Sequence, residues 1–196
     1  MRPAPAILIL AAGASSRMGD RDKLLETVDG TPLILRAARA ACANSAEVIV
    51  TLPTGEMSRR AWLTDLPLRI VDVSNLAMSA SIRAGVAVCA ADAILIHLAD
   101  MPEVGADDLA TLIHAWQRSD APILRATAQD GRPGQPVIFD RSLFPALSSL
   151  DGDRGAKALI AEMDAEQVPL PEERALTDLD TPAAWAEWRS RTGRPF

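Results

Sequence analysis

Residues 8–26, LILAAGASSRMGDRDKLLE, begin as an apolar run, break into small polar residues around Gly13 and Gly19, and place Arg17, Arg21 and Lys23 within seven positions before turning apolar again. Such a segment fits a secretory signal, a phosphate cradle or an ordinary strand-to-helix turn. A dinucleotide fingerprint needs G-x-G-x-x-G, and a Walker loop needs G-x-x-x-x-G followed at once by Lys and Ser or Thr. Neither is present: Gly13 and Gly19 are one residue too far apart, and Lys23 comes four residues after Gly19. What remains is a strand and a small-residue loop. Gly13 lets backbone N–H groups approach a triphosphate, Ser15 and Ser16 offer hydroxyl donors, and Arg17 and Lys23 offer charge.

Composition sharpens this reading. The chain has eighteen arginines and two lysines, Lys23 and Lys157, so lysine is not a general surface residue and Lys23 stands out as a compact point charge. The net charge of −6 repels nucleic acid, and no basic stripe or aromatic platform offsets it. An anionic ligand therefore needs local cations and helix N-termini. Apolar runs fall short of the ~20 residues of a membrane span. The opening MRPAPAILILAAGASS imitates a signal peptide, but cleavage near Ala14 would remove the first strand candidate. Cys42 and Cys89 are too few for a disulfide framework, and a reducing cytoplasm is the simpler home.

Apolar runs of strand length recur at 6–12, 47–52, 68–73, 92–99, 122–128, 136–139 and 167–170. Helical spacing lies between them at 31–44, 56–65, 79–90, 105–118, 154–164 and 181–191, the first with Thr31 as N-cap and Pro32 at the first helical position. This alternation predicts a doubly wound α/β domain with a mostly parallel sheet and ligands at the carboxyl ends of the strands. The Gly- and Pro-rich stretch 128–145 breaks the alternation and predicts a loop and hairpin beside the sheet. His97 reads as a satisfied sheet histidine, and His114 falls in an amphipathic helix. Ser79 and Ser81 open a helix where hydroxyls and free N–H groups can meet a base or ribose. Arg83 suits a ligand or a neighbouring acid equally.

Six segments, LAAGASSRMGDRDKLL (10–25), MSASIRAG (78–85), LADMP (98–102), GRPGQPVIF (131–139), GDRGAKAL (152–159) and DLDTPAAW (178–185), resemble in order the motifs of the molybdenum cofactor nucleotidyltransferases, most closely the molybdopterin cytidylyltransferase branch. The resemblance implies a Rossmann-like nucleotidyltransferase fold in a single NTP-transferase domain over 1–196, with a nucleotide-binding half to about residue 105 and an acceptor-side half from about 106. It implies CTP and molybdopterin as substrates, Mg²⁺ as cofactor, pyrophosphate as leaving product, and a molybdoenzyme or its chaperone as recipient.

Carried onto this chain, the resemblance places Lys23, Arg17 and Asp100 in catalysis. It places Leu10, Ala11, Ala12, Gly13, Ser15, Arg17, Met18, Lys23, Ser79 and Ser81 at the nucleotide, and Asp100 and Asp180 at the metal, with Asp178 a weaker candidate. Asp180 and Thr181 equally suit an N-cap of the last helix. Arg83, Gln135, Asp153, Arg154 and Lys157 fall on the acceptor side. Gln135 stands where the family often has His, which removes a chargeable group. The guanine-using branch tends to carry glycine where this chain has Ala12. A sugar-phosphate nucleotidyltransferase and a non-catalytic nucleotide or molybdopterin binder are the rival readings.

Overall fold

The computed structural model describes every residue except 20, 153–155 and 195–196. One seven-stranded sheet carries the chain. Its strands are β1 (Ala6–Leu10), β4 (Val48–Pro53), β5 (Arg69–Val73), β6 (Ala93–Leu98), β7 (Ile123–Thr127), β8 (Pro133–Asp140) and β9 (Glu166–Pro169), in the order β5-β4-β1-β6-β8-β7-β9. All neighbours run parallel except β8, which is antiparallel to both β6 and β7. The stretch 128–145 is thus a hairpin inside the sheet rather than beside it, because β8 turns back to fill the space between β6 and β7. Apolar alternation does not distinguish the two placements.

Both faces of the sheet are covered, which is why its strands are apolar almost throughout. On one face Ile7, Ile9, Val50 and Leu95 pack with α1 (Leu33–Cys42) and α4 (Ala106–Arg118), the latter contributing Leu112 and Trp116. On the other, Leu8, Ile49, Ile94 and Phe139 pack with α3 (Met78–Val88), α5 (Phe144–Ser148) and α6 (Lys157–Glu162). A third small core gathers Met18, Val28, Leu33 and Leu179 around Trp185 and Trp188 of the last helix, α7 (Pro182–Thr192). The short helix α2 (Ser58–Ala61) follows β4 and replaces the longer helix expected over 56–65.

Thr31 and Pro32 do not begin α1. They form β3, paired with β2 (Thr27–Val28) through Asp29 and Gly30, whose left-handed φ values of 52° and 75° make a two-residue hairpin turn. Pro32, with ψ of 145°, is the N-cap and Leu33 the first helical residue.

His97 is fully buried in β6, and neither ring nitrogen finds a partner, so it is not the satisfied histidine the sequence suggested. Burial pushes its pKa down to about 4, below the ~6.5 of an unfolded chain. The native state therefore keeps it neutral while the unfolded state takes up a proton as pH falls. The stability gained from neutral His97 is present above about pH 6.5 and is lost towards pH 4, up to about 3 kcal/mol. His97→Leu should flatten this part of the stability–pH curve, read by urea unfolding at pH 7, 6, 5 and 4.5. An unchanged slope would refute the assignment.

Candidate active site

The chain winds from β1 outward through β4 to β5, then returns across β1 to β6, so the reversal of strand order lies between β1 and β6. Leu10 and Leu98 are register partners at their carboxyl ends. The loops that follow, 11–26 and 99–105, therefore rise side by side at the position where doubly wound sheets bind ligands.

Four sequence-predicted residues meet there. The Lys23 ammonium donates to Asp100 Oδ2 at 2.5 Å and also to Asp180 Oδ1, and Arg17 pairs with Asp180 Oδ2 at 2.8 Å. Burial works against the Lys23 charge, but the two carboxylates outweigh it and raise its pKa. Asp180 likewise overcomes burial, through Lys23 and Arg17, and is held below the usual carboxylate range. Asp178 is raised by burial and by the like charges of Asp180 and Asp100. Thr181 caps α7 by accepting from the Ala184 N–H at 3.1 Å, so Asp180 is not spent on capping. The Leu179 N–H donates to the Asp100 carbonyl at 3.2 Å and fastens the two carboxylate segments together.

A divalent cation fits these donors. Asp100 Oδ1 is buried without a hydrogen-bond partner, and the hard carboxylates of Asp100 and Asp180 lie side by side, both reaching the Lys23 ammonium. Among the described residues no group of three or more His, Cys, Asp or Glu could hold such an ion. The remaining ligands of such an ion would be water or substrate oxygens.

The 11–24 loop is held by two residues that sequence reasoning missed. Arg59 of α2 is buried, and its guanidinium donates to the Ala11 carbonyl at 2.6 Å and to both oxygens of Asp22 at 2.6 and 3.0 Å. Asp22 also accepts from the Leu24 N–H at 3.0 Å and from the Ser15 hydroxyl at 3.2 Å. Ser15, with a left-handed φ of 51°, therefore spends its hydroxyl on shaping the loop. The available clue was an Arg–Arg pair in a short helix, too common to single out. A double-mutant cycle of Arg59→Met with Asp22→Asn should return a coupling of about 1–3 kcal/mol in urea unfolding, as for groups sharing one network. Additive losses would show that the pair does not act as a unit.

Other expected residues divide. Ala11, Ala12 and Met18 are buried, and Gly13 has open space around its Cα. Ala12 thus presents no surface to a base, and its methyl acts on loop packing. Ser79 and Ser81 are buried in the first turns of α3. Arg83 donates to the Leu150 carbonyl, tying α3 to the segment after α5. Asp153 and Arg154 lie outside the described residues. Leu10, Gln135, Lys157 and Asp178 share the wall of a cavity of about 370 Å³ between α3, α6 and the β6–β8–β7 strands. Met101 and Asp178 on its rim neighbour Asp100 and Asp180 in the chain, so the cavity adjoins the carboxylate cluster.

Comparisons with known proteins agree with this architecture. The crystal structure of Rv0371c from Mycobacterium tuberculosis H37Rv superposes with a TM-score of 0.82 at 24% identity, covering 97% of this chain and 100% of that one. The same protein in complex with manganese gives 0.78 at 24% identity over 94% of this chain and 97% of that one. A molybdenum cofactor guanylyltransferase of Pseudomonas paraeruginosa (strain DSM 24068 / PA7) is 30% identical over 196 residues, covering 94% of each chain. Residues 7–168 match the MobA-like NTP transferase domain, and the chain belongs to that family.

Proposed function

We propose that this protein transfers CMP from CTP to the terminal phosphate of molybdopterin and releases pyrophosphate. The observation that carries this reading is the Lys23–Asp100–Asp180 cluster at the switch point of the sheet, opening onto a cavity able to take a second substrate. An acceptor phosphate is already anionic at neutral pH, so the chemistry needs no histidine base. His97 is buried in the sheet, and His114 lies on α4, outside the residues that line the cavity.

An acceptor phosphate oxygen attacks the α-phosphorus in line with the bond to the β-phosphate. A new P–O bond forms, the bond from the α-phosphorus to the bridging oxygen breaks, and pyrophosphate leaves with the electron pair. Lys23 and the exposed Arg17 stabilise the charge gathering on the pyrophosphate, while the 11–24 loop fixes the triphosphate for in-line attack. Magnesium, held by Asp100 and Asp180, would neutralise phosphate charge when bound. The manganese bound by the Mycobacterium tuberculosis relative supports a divalent ion here.

Cytidine is favoured by Ala12. A buried alanine narrows the conformations open to the loop relative to glycine, and a more confined loop suits the smaller pyrimidine. The relative named as a guanylyltransferase makes the base the point to measure. The expected result is a higher kcat/KM for CTP than for GTP or ATP with molybdopterin as acceptor, and a shift towards GTP of about tenfold or less in Ala12→Gly. Equal or better use of GTP by the unmodified chain would overturn the cytidylyl assignment and leave nucleotidyl transfer standing.

A further inference from the structure

On the sheet face that lines the cavity, alternate residues of β7 and β8 point the same way. Ile123, Val137 and Phe139 make that face apolar beside Ile96 of β6, and two polar residues interrupt it, Arg125 and Gln135. Arg125 stands opposite Val137 in the ladder, and Gln135, two residues before Val137 where the ladder becomes irregular, lines the same cavity. The Arg125 Nε–H donates to the Gly134 carbonyl at 2.9 Å. The guanidinium is half-buried, and among the described residues it has no carboxylate partner. Gln135 Oε1 is buried with no donor.

The backbone here has no slack. The Gln135 N–H donates to the Ala175 carbonyl at 2.8 Å, and a Cβ on Gly134 would lie 2.2 Å from that same oxygen. The wall thus offers a specific pairing, a guanidinium with no carboxylate partner among the described residues and a buried carbonyl oxygen without a donor, flanked by apolar side chains. A buried polar group left unpaired is costly, so a ligand that donates to Gln135 Oε1 while accepting from Arg125 gains where others lose.

We propose that this slot reads the lactam edge of a planar heterocycle in the acceptor, Arg125 donating to the ring carbonyl and Gln135 Oε1 accepting from the adjacent ring N–H. The two residues then set acceptor specificity, which rests on the proposed function in that the pterin of molybdopterin carries this edge. Gln suits the role better than His, since its carbonyl accepts at every pH. Guanine has the same lactam edge, so the nucleotide is the competing source.

The test is equilibrium binding of free pterin, followed by its fluorescence, to the unmodified chain, Gln135→Leu and Arg125→Met, with magnesium–CTP binding measured alongside. Each substitution should weaken pterin by about tenfold, the value of one lost hydrogen bond, and leave CTP binding within twofold. On the unmodified chain, N3-methylpterin should bind about tenfold more weakly than pterin, a readout that does not depend on a variant folding. Pterin affinity unmoved by either substitution and by N3-methylation would overturn the proposal, as would guanosine binding with the same residue dependence. Pterin binding that depends on Gln135 without pyrophosphate release from CTP and molybdopterin removes the reaction and keeps the slot. Release with Gln135-independent pterin binding does the reverse.

Discussion

Lys23→Ala should lower kcat by about 10²–10³-fold, the range seen when one group aimed at developing charge is removed. Lys23 is the cation shared by Asp100 and Asp180, with only 14% of its side chain exposed. Without it two carboxylates face each other, so a fall in Tm should accompany the kinetic loss. Magnesium can neutralise that repulsion but cannot stand in for the ammonium on the leaving pyrophosphate. Added magnesium should therefore recover Tm and leave kcat depressed. Lys23→Arg should rescue little, because a planar fork cannot replace a point charge between two carboxylates. Turnover of Lys23→Ala within threefold of the unmodified chain would end the phosphate-cradle reading.

Asp100→Asn should be as damaging, at about 10²-fold or more in kcat/KM, because it removes a metal-binding charge while keeping size and hydrogen-bonding capacity. The orphaned Oδ1 separates a metal role from a purely structural one. A carboxylate needed only to hold Lys23 would tolerate loss of its free oxygen, whereas a metal ligand would not. Manganese binding followed by electron paramagnetic resonance, in the presence of CTP, should be lost in Asp100→Asn. Asp180→Asn should be comparably impaired, since Asp180 holds both Lys23 and Arg17. Retained manganese binding in Asp100→Asn would move the metal elsewhere.

Much of this was legible in the chain. Every apolar run read as a strand became one, and β6 ends at Leu98 with Pro102 barring its continuation, which leaves Asp100 just past the strand's carboxyl end. The bridge from Lys23 to Asp180 spans 157 positions, and only likeness to known motifs drew the two together. Position in the fold, not local pattern, decided the remainder. The antiparallel course of β8 leaves the same alternation as a parallel strand would. Arg59 earns its place through contacts with residues 11, 15 and 22, none of them its neighbours in sequence. Arg125 sat within an expected strand, where a lone arginine suggests an exposed edge. The strand β9 instead covers that side, and the residue faces a cavity.

The bond from the Leu179 N–H to the Asp100 carbonyl carries a consequence for how the protein is made. Asp180 follows all seven strands of the sheet in chain order, and α7 brings the tryptophans that pack with Met18 of the loop after β1. A chain still being synthesised can lay down β1, β4 and β6, and even Asp100, long before the second carboxylate leaves the ribosome. Until then Lys23 has one partner instead of two, and the loop lacks its apolar clamp. On the proposed function, the site that would hold metal and triphosphate together is complete only once Asp180 and α7 have emerged.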